Sequence, residues 1–275
     1  TNLVISGSNK LQSVPIIPQT QAGELRITVT KANYYRYDVT IPIGGTAYYV
    51  NAAGTGDYPT IQAAIDAATA GVVIELEDGT YTGAGNRDLD YLGKAIQIRS
   101  RSANPAACVI DCQAGPSDMH RGVTFQNGED GASLLAGVTI RGGYETVGGA
   151  ISCPNGSPTI SNCVFEENQA EGGGALHVQI GDPIFSSCTF RANVAQPFDG
   201  GAIMTLDGTT LTECTFDGNA GDTVSTLTVS GGAVTCTNCT FYANTIAAGS
   251  GSTVHTNAGA ITLDNCILAF APAGQ

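Results

Sequence analysis

The sequence predicts an all-β protein: a right-handed parallel β-helix of about 25 residues per coil, with an N-terminal capping helix, preceded by a small partial β-sandwich segment. Three observations carry this expectation. Cysteines recur at Cys163, Cys188, Cys214, Cys239 and Cys266, spaced 25, 26, 25 and 27 residues apart. Two residues after each stand Phe165, Phe190, Phe216, Phe241 and then Leu268, and five residues after the first four stand Asn168, Asn193, Asn219 and Asn244. Glycine supplies 36 of the 275 residues without the three-residue period of collagen.

Side-chain alternation explains the repeat. Positions i and i+2 of a strand share a face, so each Cys and its Phe both point inward. Ile160, Phe185, Leu211, Cys236 and Leu263 lie three residues before each Cys. That odd offset puts them on the same face only if the chain bends in between, so each unit is a coil of several short strands. Units too short to bury their own apolar face must stack. Asn at a fixed turn position tolerates left-handed backbone and can ladder its amide along the stack. Small triplets close the units: Gly148-Gly149-Ala150, Gly173-Gly174-Ala175, Gly200-Gly201-Ala202, Gly231-Gly232-Ala233 and Ala258-Gly259-Ala260. An earlier turn, residues 135–140, fits the same frame with Gly137 in the Cys slot. About eight coils at ~4.8 Å each would make a rod near ~40 Å long, right-handed by the usual sense of parallel crossovers.

The start of the rod follows the same logic. Tyr48-Tyr49-Val50 reads as a strand, and Thr60 N-caps a helix with Ile61, Ala64, Ile65 and Ala68 on one face. Such a helix would plug the first coil. Strands are expected over residues 72–77 and 95–99. Residues 1–45 break the pattern: residues 24–31 and 35–43 alternate in a strand period, and Leu3-Val4-Ile5 is apolar. Three or four strands are too few for a sandwich of ~7. The expected division is 1–45, a partial β-sandwich segment, and 46–275, the β-helix.

The run GDYPTIQAAIDAATAGVVIELEDGTYTG resembles the start of pectin-lyase-like right-handed β-helix proteins. The PTISNCVF…N…GGA units are similar to repeats of bacterial secreted and surface β-helix proteins of the polymorphic outer-membrane protein type. The phrase ITVTKANYYRYDVTIPI resembles the closing strands of the immunoglobulin-like domain that follows gingipain-type peptidases. The resemblance implies a bacterial, secreted or cell-surface location. It leaves function open, because the fold hosts enzymes, adhesins and spacers.

Charge narrows the partners. With 11 Lys+Arg against 24 Asp+Glu the formal charge is −13, which disfavours nucleic acid and anionic lipid. No run of ~18 apolar residues suggests a membrane span. The cysteines read as small apolar core residues rather than a redox or zinc set, since the Cys236/Cys239 pair has no second pair at matching spacing. Cys153 and Cys236 both fall three residues after a small triplet and so would share a second column. Asp88 and Asp90 lie two apart beside Arg87, on one strand face, and are the candidate ligands for calcium, the one cofactor the sequence admits. Arg99 and Arg101 read as outward edge charges. His120, His177 and His255 fall on different coils and read as surface residues. No catalytic residue and no nucleotide-binding loop stand out.

Three readings remain. The first is a non-enzymatic structural or adhesive rod that associates with itself head to tail, N-terminal β segment to the open end of the helix, as a surface filament, with extracellular polysaccharide as a further partner. The second is a polysaccharide lyase or hydrolase acting in the lateral groove. The third is a passive spacer in a larger secreted protein. The first is the expectation carried forward.

Overall fold

The computed structural model describes residues 23–29, 37–43, 47–222, 225–246 and 253–269, with side chains from residue 47 onward. Leu3-Val4-Ile5, Phe270 and residues 271–275 lie outside the described residues. The chain divides into two compact units, Thr1–Thr46 and Ala47–Gln275. In the first, Gly23–Val29 pairs antiparallel with Tyr37–Ile43.

The second unit is a right-handed parallel β-helix whose coils are cut into short strands. One coil shows the plan. Thr159–Ser161 joins a nine-stranded sheet, Val164–Glu166 an eight-stranded one, Gln169–Gly172 a five-stranded one and Leu176–Val178 a seven-stranded one. The next coil repeats this in register, Ile160 on Phe185, Phe165 on Phe190, Ala170 on Ala195 and Leu176 on Ile203. The helix Ile61–Ala67 buries Ile61, Ala64 and Ile65, and its N-cap Thr60 accepts from the Ala63 N–H at 3.2 Å.

The bends sit at single residues in left-handed backbone. Asn162, Ser187, Glu213, Asn238 and Asn265 have φ of 49–55° and stand immediately before the cysteines. Glu167, Ala192, Gly218 and Ala243 have φ of 52–63° and stand immediately before the ladder asparagines. The expectation that the ladder asparagines themselves take the left-handed turn is therefore displaced by one residue. Each of Asn168, Asn193 and Asn219 instead buries its amide beside the corner and bonds along the stack.

At the first corner the thiol is also a donor. Cys163, Cys188, Cys214 and Cys239 direct Sγ at the carbonyl two residues back, at 3.3–3.5 Å, while being 1% exposed. A small apolar side chain with a weak S–H fills the corner and answers a carbonyl that the bend turns inward.

Inter-coil register corrects three alignments. Leu135 pairs with Ile160 and Ile140 with Phe165, so Val138, not Gly137, fills the Cys slot, and Gly137, φ 69°, takes the left-handed corner. The triplets at Gly148, Gly173 and Gly200 lead into the seven-stranded sheet, but Gly231-Gly232-Ala233 leads into the nine-stranded one. Their true counterpart is Ser225-Thr226, since the Ala202 N–H bonds to the Thr226 carbonyl. It follows that Cys153 and Cys236 belong to different sheets and share no column. The first three triplets are glycine-rich for a steric reason: a Cβ at Gly149 or Gly174 would collide with the carbonyl of Gly174 or Gly201 on the next coil.

The core is one continuous apolar cluster running from Val50 to Phe241. Phe190 and Phe216 stack with ring centroids 4.8 Å apart and planes 4° apart, and Phe216 on Phe241 likewise at 4.4 Å and 3°. His177, read as a surface residue, is only 9% exposed, in a strand buried on both faces. Burial, and secondarily the charge of Arg121, holds its imidazole below the usual range.

Candidate functional site

The outward face of the eight-stranded sheet carries a column of alternating charge. Asp111, Arg141, Glu166, Arg191 and Asp217 are register partners on successive coils, and Tyr242 follows. Arg141 donates from Nε and Nη2 to Asp111 Oδ2 at 3.1 and 2.8 Å, and Arg191 pairs with Glu166. The hydrogen bonds it donates to Asp111 keep the Arg141 guanidinium above its ordinary range. Beside the column runs a groove of about 320 Å³, walled by Pro105, Val109, Thr139, Val164 and both arginines. Thr139 fixes the wall by donating its hydroxyl to the Pro105 carbonyl at 2.8 Å. This column went unremarked in the sequence, although each member directly follows a core residue: Ile110, Ile140, Phe165, Phe190, Phe216 and Phe241.

The neighbouring nine-stranded sheet offers a different surface. From Leu134 to Thr237 its outward positions are uncharged, with Thr159, Ser161, Ser186, Thr210, Thr212, Thr235 and Thr237 among them. At its first strands the charges are paired across coils, Arg99 to Glu75 at 2.7 Å and Arg101 to Glu77 at 3.4 Å, with Arg101 also 5.2 Å above the Tyr49 ring.

Asp88 and Asp90 face different neighbours. Asp88 precedes the strand Leu89–Asp90 with φ 54°, so strand alternation does not place the two carboxylates on one face. Asp88 Oδ1 accepts the Arg121 N–H at 2.9 Å, and Oδ2 meets His120 Nδ1 at 2.5 Å. Asp90 accepts from the Leu92 N–H, Asn127 Nδ2 and Gln126 Nε2 at 2.7–2.9 Å. A cation on either carboxylate would have to displace these donors. Among the described residues no set of three or more His, Cys, Asp or Glu is arranged to hold a metal ion.

His120 is the one histidine tied to acids. Its Nε2 lies 3.1 Å from Asp118 and its Nδ1 against Asp88, so both ring nitrogens are occupied. A general base needs a nitrogen free to face its substrate. Arg87 reaches Asp118 at 3.6 Å and the Cys112 carbonyl at 2.5 Å, and Arg121 reaches Glu145 at 3.2 Å. The arrangement clamps the loop before Val123 to the preceding coil. His255 lies in another coil and contacts Asn257 at 2.9 Å. No helix among the described residues is long and apolar enough to cross a membrane.

Comparison with known proteins bears on the fold. No curated protein matches the sequence. A pectate lyase, Pel9A, is similar in structure, with TM-score 0.49 and 16% identity over 80% of this chain and 78% of that one. A rhamnogalacturonan lyase is similar with TM-score 0.43 and 14% identity over 82% and 66%. A pectin methylesterase from carrot is similar with TM-score 0.34 and 14% identity over 82% and 88%. None of these likenesses carries an activity to this chain. The family model described as "Right handed beta helix region" matches residues 121–269, more than half of the 275 residues. The chain belongs to the right-handed β-helix family.

Proposed function

We propose that the protein is a non-catalytic structural and adhesive rod of an extracellular or cell-surface protein, with extracellular polysaccharide as its ligand along the lateral faces. One observation supports this above others. All seven Lys and Arg side chains described from residue 47 onward are engaged: the six arginines in ion pairs, and Lys94 Nζ on the carbonyls of Ile65 and Asp66. Elimination or hydrolysis on an acidic sugar polymer needs a titratable group poised over the substrate and a cation for its carboxylate. Here the cations stitch coil to coil, and the uncharged hydroxyl face suits neutral sugar. The alternative is a lyase or hydrolase working in the groove beside Arg141 and Arg191.

The same reading has the rod associate end to end. Two measurements test the proposal on the full chain. Incubation with polygalacturonate, rhamnogalacturonan and alginate, with and without calcium, is expected to release no unsaturated uronate and no reducing ends; release of either overturns the non-catalytic reading. Light scattering is expected to show mass rising with concentration, and a constant monomer mass would remove end-to-end association.

A further inference from the structure

The groove of about 320 Å³ beside the charge column has a fixed wall and uncommitted donors. Its floor is Val109, Thr139, Val164 and Thr189, register partners on four successive coils. At ~4.8 Å per inter-strand step the floor runs ~14 Å along the rod. One wall is the loop Asn104-Pro105-Ala106. Later coils pin that loop: Thr139 donates its hydroxyl to the Pro105 carbonyl at 2.8 Å, and Asn162 donates Nδ2 to the Ala103 carbonyl at 2.8 Å. A groove held this way is formed before any ligand arrives, as small-ligand sites usually are.

Donors and charge select the ligand. Arg141 commits Nε and Nη2 to Asp111, Arg191 commits Nη2 to Glu166, and Asn104 commits Oδ1 to the Ala106 N–H. Arg141 Nη1, Arg191 Nε and Nη1, Asn104 Nδ2 and the Thr189 hydroxyl have no partner among the described residues. The two arginine side chains are 41% and 55% exposed and their carboxylate partners only 18% and 17%, so the rim offers N–H groups more than acceptors. A ligand that suits it carries oxygen acceptors. Each guanidinium is already balanced by a carboxylate, and the chain has a formal charge of −13, so no net positive field draws a polyanion here. Val109 and Val164 add an apolar surface. Neutral oxygens around a ring with C–H faces describe a pyranose. The volume lies at the low end of the ~300–1,000 Å³ of small-ligand sites, which is room for a ring rather than a chain.

We infer that this groove binds one neutral pyranose unit of an extracellular polysaccharide, with its C–H face on Val109 and Val164 and its oxygens accepting from Arg141, Arg191 and Asn104. The inference rests on the polysaccharide reading above and narrows it to one groove and to neutral sugar. Binding leaves the ion pairs intact, because it engages only N–H groups that they do not use.

Calorimetric titration and methyl NMR of the full chain test it, with cellotetraose, mannotetraose, galactotetraose and xylotetraose as neutral ligands and tetragalacturonate as the acidic one. A neutral tetrasaccharide is expected to bind and to shift the Val109 and Val164 methyl resonances. Thr189→Trp fills the groove, and Ala106→Trp overhangs it from the exposed loop. Each, with a circular dichroism spectrum like the parent's, is expected to weaken binding about tenfold or more. Arg141→Met keeps the apolar stem, removes the donors and is expected to weaken it too. Thr210→Trp, on the outward face of the nine-stranded sheet, is expected to leave binding unchanged. Neutral binding that is lost only in Thr210→Trp, or that persists in both groove variants, overturns the groove while the polysaccharide reading stands. Tighter binding of tetragalacturonate than of every neutral tetrasaccharide overturns the neutral class. Binding of none of them overturns both readings.

Discussion

The side-chain amide of Asn193 donates to Oδ1 of Asn219 at 2.9 Å while also donating to the Phe165 carbonyl at 2.9 Å. Its own Oδ1 accepts from both the backbone N–H and Nδ2 of Asn168, at 3.1 and 3.0 Å. One fully buried side chain thus satisfies backbone and amide groups on two other coils, and the same bonds recur from Gly143 to Asn244. Asn193→Ala leaves several of these groups unpaired out of reach of water. It is expected to destabilise by about 2–4 kcal/mol, each unsatisfied buried group costing about 1–3. Denaturant unfolding checks this; a loss below about 1 kcal/mol would mean that water replaces the amide.

Phe190 lies between two aromatic neighbours, the ring of Phe165 tilted by 31° on one side and the stacked ring of Phe216 on the other. Phe190→Ala opens a cavity there and is expected to cost about 3–5 kcal/mol. Phe190→Leu keeps most of the buried apolar area and loses mainly ring stacking, about 0.5–1.5 kcal/mol. Urea titrations of both variants measure the gap between the two losses.

Ala192 is exposed and held at φ 52°. Left-handed backbone costs an L-residue about 1–2 kcal/mol, and the extra unfolded-state freedom of glycine costs about 0.5–1. The first effect is larger, so Ala192→Gly is expected to stabilise by about 0.5–1 kcal/mol. A lowered Tm would show that the corner carries little strain.

His177 is buried and held neutral by desolvation and by Arg121. In the unfolded chain it titrates near ~6.5, so below that pH the unfolded state binds a proton that the folded state refuses. Its contribution is complete above ~6.5 and declines as pH falls through the lowered folded value. His177→Met, matching the Met204 stacked on it, is expected to reduce the drop in Tm between pH 7.5 and pH 5. An unchanged drop would locate the acid sensitivity elsewhere.

Much of the fold was legible because a stacked coil repeats its chemistry at fixed intervals. The cysteine, phenylalanine and asparagine columns were each readable from spacing, as was the bend between Ile160 and Cys163, since an odd offset on one buried face demands it. The capping helix was readable from Thr60 and the apolar stripe behind it. The charge column was readable in principle, because each charge directly follows a core residue, but no local motif marked it.

What the sequence by itself determined, then, is the period, the inward set and the existence of corners, all of which follow from side-chain alternation and burial along one chain. Tertiary structure alone decided which corner a given small-residue run occupies, and hence that Gly231-Gly232-Ala233 is not the counterpart of Gly200-Gly201-Ala202. It also decided that Val138 fills the Cys slot and that Asp88 and Asp90 part company. The reason is physical: these outcomes depend on hydrogen-bond register between strands about a coil apart in sequence, and coil lengths of 25–27 residues let corners absorb or add a residue without disturbing the columns.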